Sequence, residues 1–158
     1  MFFEEITIRK ADAADLDAVV RVYEHVHDTE EAGPAQVGWV RGVYPVRSTA
    51  EAALERGDLF VEKADGAVVG TGIFNRLQAD VYAGAPWQYD APDDQIMVLH
   101  TLVVDPQIAG HGYGKAFVSF YEQYAKDHDC PYLRMDTNAI NTAARRFYAK
   151  LGFRESGI

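Results

Sequence analysis

Three glycines spaced two apart, Gly110, Gly112 and Gly114, separate the β-rich run 96–104 (IMVLHTLVV) from an amphipathic run starting near Ala116. A strand, a glycine turn and a helix in that order can hold an anion. Glycines let the backbone approach the ligand closely. The N–H groups of the first helical turn, aided by the positive end of the helix dipole, carry the charge. The same pattern also serves as a plain tight turn between strand and helix. Two nucleotide-binding alternatives fit poorly. The phosphate-binding P-loop needs Ser or Thr after Gly-Lys, but Gly114-Lys115 is followed by Ala116. The G-x-G-x-x-G dinucleotide fingerprint is absent, and it would normally follow a first strand. Metal chemistry has little to work with: His25 and His27 are two apart and do not share a helix face, and Cys130 is the only cysteine.

The bulk composition narrows the class. The chain has 158 residues, 48% hydrophobic, with a mean hydropathy of −0.20. This suits one globular domain over residues 1–158. A net charge of −9, from 24 acids against 15 bases, argues against nucleic-acid binding. The charge is uneven: 18 acids and 8 bases up to Gln95, then 6 acids and 7 bases. An anionic ligand meets less repulsion in the C-terminal part, although ordinary surface variation gives the same imbalance. The start MFFEEITIRK lacks a basic leader, and no apolar run reaches the ~18 residues of a membrane span. With a single cysteine, the expected location is cytoplasmic, without membrane contact.

The elements that must position these residues follow from periodicity. Alternation over Glu5–Arg9 predicts a first strand. Leu16, Val19, Val20, Tyr23 and Val26 predict a helix over about 13–28, capped by Asp12 with Asp15 in its first turn. Residues 30–47 read as a loop or broken helix. Ser48, with Glu51 three residues on, predicts a capping box for a helix over about 49–56 that Gly57 ends. Runs 59–62 and 68–74 read as strands joined at Asp65-Gly66, a hairpin signal. Residues 79–95 form a polar loop, and 96–104 is apolar on both faces, as a central strand is. A helix over 116–126, a strand over 132–136 and a helix over 142–151 follow, with a final strand starting at Phe153. The fold class is α/β, a mixed sheet with helices packed on it.

The residues VVDPQIAGHGYGKAFVSFYEQYA resemble motif A of the GNAT superfamily, the acyl-CoA-dependent N-acetyltransferases. Val104, Pro106, Gly112 and Gly114 match. The family's Gln or Arg position holds Ala109, and Gln107 lies two residues early; in the family that position works mainly through its backbone N–H. NTAARRFYAKLGF resembles the family's second signature, with Asn141, Ala144, Phe147, Tyr148, Lys150, Gly152 and Phe153 in register. The stretch between Gly112 and Asn141 leaves room for one helix and one strand, as the family requires. The resemblance implies a central, mostly antiparallel sheet with a splayed parallel pair, flanked by helices.

It also implies acetyl transfer from acetyl-CoA, without a metal, to a primary amine of a small molecule or peptide by direct attack in a ternary complex. Tyr148 matches the family's general acid; otherwise it is a packing tyrosine on an amphipathic helix. The family often places a basic Glu at the position of Val98, so that carboxylate is missing. His100, two residues on and on the same strand face by simple alternation, is the candidate base, or else a hydrogen-bonded core histidine. Leu102, Val103 and Val104 would pair their backbone with the pantetheine arm. Ala109, Gly110, His111, Gly112, Tyr113, Gly114 and Lys115 would cradle the pyrophosphate. Asn141 either contacts the cofactor or caps its helix. Lys115 and Arg145 or Arg146 could attract the CoA phosphates, or simply form a solvated face. A module that binds CoA without efficient turnover is the alternative reading.

In the family the acceptor meets the first helices and the loop before the central strand. Here these carry Glu24, Asp28, Glu30, Glu31, Trp39, Tyr44, Tyr82, Trp87, Tyr89, Asp90, Asp93 and Asp94. Aromatics beside carboxylates suit a cationic amine; the plainer alternative is a set of acidic, solvated loops. Asp136, Thr137 and Asn138 are candidates for polar lining. The family commonly ends with two strands, and only five residues follow Phe153. The last strand is therefore expected to be absent or supplied by a partner, and a homodimer is expected.

Overall fold

The computed structural model describes residues 4–78, 82, 85–87, 91–108 and 110–156. Five strands, β1 (Ile6–Lys10), β2 (Leu59–Ala64), β3 (Ala67–Asn75), β4 (Ile96–Val104) and β5 (Tyr132–Met135), form one sheet in chain order. The first four run antiparallel, and β4 and β5 are parallel. The β2–β3 turn has Asp65 at φ 50° and Gly66 at φ 84°. Two positive φ values in a row give the twist a tight hairpin needs.

Four helices, α1 (Leu16–Glu31), α2 (Arg47–Arg56), α3 (Tyr113–Asp127) and α4 (Thr142–Lys150), cover the sheet. Strand alternation sends neighbouring side chains to opposite faces. Val61 and Ile73 join Val19, Val22 and Tyr23 of α1 and Ala50 and Ala53 of α2 in one core. Their neighbours Phe60 and Phe74 join Met97, Leu99 and the α3 residues Phe117, Tyr121 and Ala125 in a second. Phe60 and Phe74 stack at 3.8 Å with planes 9° apart. β4 is buried on both faces, as its composition predicts.

Several boundaries differ from the sequence reading. A 3₁₀ turn, Ala13–Asp15, precedes α1, and the helix runs three residues beyond Asp28. Asp12 caps as expected, its carboxylate accepting the Ala14 N–H at 2.9 Å. Ser48 does not cap α2. The helix begins at Arg47, where the Thr49 hydroxyl accepts the Val46 N–H at 3.1 Å and Glu51 pairs with Arg47. α3 begins at Tyr113, three residues early, because Gly112 takes the left-handed N-cap conformation. No strand follows α4 among the described residues; the chain is irregular from Phe153 to Ser156. No helix among the described residues is long and apolar enough to cross a membrane.

Candidate active site

The β4–β5 register ends early. Its last pair is Leu99 with Met135, whereas β4 continues five residues to Val104. The strands therefore part in a V, and the stretch His100–Val104 has no ladder partner on the β5 side. On its other side β4 stays paired with β3 as far as Gly70–Val104. Exposed strand N–H and C=O groups are a ready template for an extended ligand. A cavity of about 560 Å³ opens at the V, and its lining includes His100, Leu102, Val103, Val104, Asn141 and Tyr148.

The ladder between β3 and β4 is interrupted at the same place. Ile73 pairs with Thr101 and Phe74 with Leu99, so His100 is an extra residue in a β-bulge. Simple alternation from Val98 does not carry through such a bulge. Val98 lies in a small apolar cluster with Ile96 and Tyr82. His100 instead places Nε2 2.6 Å from Asn75 Oδ1. Asn75 is oriented by its own contacts: its Nδ2 donates to Asp58 at 2.7 Å, and its Oδ1 accepts the Leu77 N–H at 2.9 Å. His100 Nε2 is thus the donor, and in the neutral ring Nδ1 keeps the lone pair. Burial holds the His100 pKa below its usual value, outweighing the opposing charges of Asp58 and Asp136. The neutral ring is the form able to accept a proton.

The glycine turn is built for backbone approach. Gly110 and Gly112 have φ of 94° and 77°, values that a side chain resists. Gly112 is the N-cap of α3, and no side chain caps the helix. The Ala116 N–H bonds back to Gly112, while those of Gly114 and Lys115 have no partner among the described residues. Gly114 also permits packing, since a Cβ there would lie 3.2 Å from the Phe147 ring of α4. Two side chains of the segment are engaged elsewhere. The Tyr113 hydroxyl donates to Glu4 at 2.9 Å, and the His111 ring stacks on Tyr113 with Nδ1 3.8 Å from Glu4. Their backbone remains free to meet an anion. Ala109 lies outside the described residues.

Tyr148 packs against Phe147 and Phe153, at ring distances of 5.1 and 5.8 Å. Its hydroxyl has no hydrogen-bond partner among the described residues, and burial raises its pKa, so it keeps its proton across the neutral range. Asn141 caps α4, its Oδ1 accepting the Ala144 N–H at 3.0 Å, while also lining the cavity. Arg145 is not available to a phosphate as drawn from sequence: both its Nε and Nη2 bind Glu155, at 2.7 and 3.1 Å. Lys115 and Arg146 are exposed and have no ion pair among the described residues.

The sequence profile of the acetyltransferase (GNAT) family matches residues 19–153. The chain belongs to that family. Solved structures agree on the fold. A GNAT-family acetyltransferase from Streptococcus agalactiae superposes with a TM-score of 0.80 at 21% identity, covering 99% of this chain and 89% of that one. The aminoglycoside N-acetyltransferase AAC(6')-Iy, solved with CoA, gives 0.64 at 18%, covering 99% and 93%. A protein described as a transcriptional regulator from Bacillus halodurans gives 0.67 at 21%, covering 98% and 96%. No curated protein sequence matches.

The acceptor end of this GNAT domain differs from the expected set of carboxylates. Glu24, Asp28 and Glu31 converge on Arg41 at the outer surface of α1. Glu30 lines the cavity, but it accepts the N–H groups of Gln36, Val37 and Gly38, at 2.6, 3.0 and 3.2 Å, and so holds the loop after α1. Trp39 and Tyr44 line the cavity edge to face, 5.9 Å apart, and the Tyr44 hydroxyl bonds the Thr101 hydroxyl. Tyr82 is buried with Trp87 rather than facing the cavity, and its hydroxyl donates to Asp136 at 2.6 Å. Asp93 and Asp94 sit in a 3₁₀ turn before β4, outside the cavity lining. Tyr89 and Asp90 lie outside the described residues.

Sequence reasoning named His100 but missed its partners Asn75 and Asp58, because the three come from different segments. It also missed His25, whose Nδ1 meets Asp105 at 2.9 Å and ties α1 to the turn after β4.

Proposed function

We propose that the protein is an acetyl-CoA-dependent N-acetyltransferase acting on a primary amine. The observation that carries this reading is the unpaired stretch His100–Val104, which ends beside a helix start whose N–H groups lack partners. A pantetheine arm needs such a strand edge, and a pyrophosphate needs such a helix start. Bound acetyl-CoA supplies an activated acetyl thioester. The backbone of Leu102, Val103 and Val104 holds the arm, and the N–H groups of the 110–115 segment hold the pyrophosphate, with Lys115 and Arg146 adding attraction. His100 Nδ1 takes a proton from the acceptor ammonium, and Asn75 and Asp58 steady the ring as its charge develops. Tyr148 keeps its Oη–H in the cavity, where it can donate toward a departing thiolate.

Release of CoA thiol across a panel of amines tests the reading. Tyr148→Phe should lower kcat by at least about tenfold while acetyl-CoA affinity stays within about twofold. Equal activity would remove Tyr148 as the acid. A second reading, CoA binding without turnover, is favoured by one observation: Val98 is enclosed with Ile96 and Tyr82, so that strand position has no carboxylate to act as base. Tight acetyl-CoA binding with no thiol release from any amine would select it.

A further inference from the structure

The last paired residues of the V are Leu99 and Met135. His100 and Asp136 are therefore the first residues beyond the point of divergence, one on each arm, and both line the cavity. Asp136 Oδ1 is fixed by the Tyr82 hydroxyl at 2.6 Å, and Tyr82 is itself held against Trp87, with rings 5.2 Å apart. The other Asp136 oxygen has no partner among the described residues. The nearest cation along β5, Arg134, is turned to Trp87, with its guanidinium carbon 4.2 Å from the ring centroid. The carboxylate is felt across the V: it raises the proton affinity of both His100 and Tyr44.

The rest of the cavity wall narrows the ligand. No Lys or Arg lines it among the described residues. Of its two carboxylates, Glu30 already accepts three backbone N–H groups, mostly at Oε1, whereas Asp136 accepts a single hydroxyl among the described residues. Val37, Trp39 and Tyr44 also line it and offer apolar and π surface.

We infer that Asp136 seats the acceptor's ammonium, and that the acceptor is a monocationic amine with an apolar or aromatic body and no carboxylate. This rests on the acyl-transfer reading above. A carboxylate on the ligand would find no cation in the wall and would face two acids. A second ammonium would find only Glu30, whose charge is already shared among three backbone N–H groups. One ammonium at Asp136, beside His100, completes the pairing, and the apolar remainder lies along Trp39 and Tyr44.

The test uses 2-phenylethylamine, its carboxylate analogue phenylalanine, and 1,4-diaminobutane, with the full-length wild type, Asp136→Asn and Tyr82→Phe. Calorimetric binding of 2-phenylethylamine to the CoA-saturated protein is read alongside thiol release. Loss of one charge-assisted contact corresponds to about 10- to 100-fold in affinity. Asp136→Asn should weaken amine binding and raise KM by at least about tenfold, with acetyl-CoA affinity within about twofold, which also reports an intact fold. Tyr82→Phe, which frees the carboxylate without removing it, should cost only a few-fold. Phenylalanine and diaminobutane should each bind at least about tenfold more weakly than 2-phenylethylamine. Unchanged amine binding in Asp136→Asn, equal use of phenylalanine, or no binding of 2-phenylethylamine to the wild type overturns the inference. Turnover that ignores Asp136 sinks this inference and spares the transferase reading. Asp136-dependent binding without thiol release does the reverse.

Discussion

Glu62 gives a sharp test of how the sheet tolerates charge. It lies in β2 opposite Gly70, is wholly buried, and neither carboxylate oxygen has a hydrogen-bond partner among the described residues. A Cβ at Gly70 would lie 3.0 Å from its Oε1, so the absence of a side chain there makes room for the carboxyl. Burial raises its pKa from 4.5 to about 8. Between these values the folded protein holds a proton that the unfolded chain has released, so stability falls as pH rises. The contribution is fully present below the unfolded value and lost as pH climbs through the folded one. At about 1.4 kcal/mol per pH unit, the loss is on the order of 5 kcal/mol across the window. Glu62→Gln keeps the shape and removes the titration. Urea unfolding of both proteins between about pH 5 and about pH 8.5 should show the variant gaining on the wild type steadily as pH rises. Groups held below their usual range, such as Asp15 beside Arg9 and Glu155 beside Arg145, act on the acid side and are common to both proteins. They cancel in the difference. Parallel stability curves for the two proteins would refute the reasoning.

Three further outcomes follow from the same geometry. Gly112→Ala places a side chain at φ 77°, at a cost of about 1–2 kcal/mol, and should raise the acetyl-CoA dissociation constant about 5- to 30-fold in calorimetry. Gly72→Ala would put a Cβ 2.7 Å from the buried Phe117 ring; it should lower stability by about 1–3 kcal/mol in thermal unfolding, through overpacking between β3 and α3. Asp105 is 5% exposed and accepts from both His25 and the Gln107 N–H. Asp105→Asn should cost about 1–3 kcal/mol in denaturant unfolding and raise KM for acetyl-CoA, because the turn into the glycine segment loses its anchor.

The parts of the fold governed by local rules were legible from residues alone. The Asp65-Gly66 hairpin, the Asp12 cap, the doubly buried β4 and the amphipathic faces of α1 and α3 all follow from neighbours in sequence. The α2 start was not legible from Ser48, because the N-cap is Val46, a residue with no capping side chain, whose N–H the Thr49 hydroxyl accepts. The bulge at His100 was hidden for a related reason. Whether β4 carries an extra residue depends on its pairing with β3, and nothing in IMVLHTLVV marks the place. At the site, motif residues such as Gly112, Asn141 and Tyr148 could be named in advance. Asn75 and Asp58, which orient His100, could not, since each comes from a separate segment and carries no spacing signal; Tyr82 was named for the acceptor loop, not as the partner of Asp136.

The overall charge also reads differently once partners are known. The acidic N-terminal part suggested a cationic acceptor by sheer number of carboxylates. Several of those carboxylates are spent on nearby cations: Asp15 on Arg9 and Lys63, Asp17 on Arg47, Asp58 on Arg56, and Glu24, Asp28 and Glu31 on Arg41. Screening by solvent and salt further blunts whatever net field remains at that surface. What a bound ligand meets at contact distance is set by the groups left unpaired in the cavity. On the acceptor side that is Asp136, which belongs to the nearly neutral C-terminal part. Outside the cavity, beside the glycine turn, Lys115 and Arg146 have no ion pair among the described residues and join the helix-start N–H groups, while Arg145 is occupied by Glu155. The proposed preference for a cation at one end of the V and an anion at the other thus rests on two local exceptions to pairing. It should survive neutralising substitutions on the α1 surface and fail on substitution of Asp136.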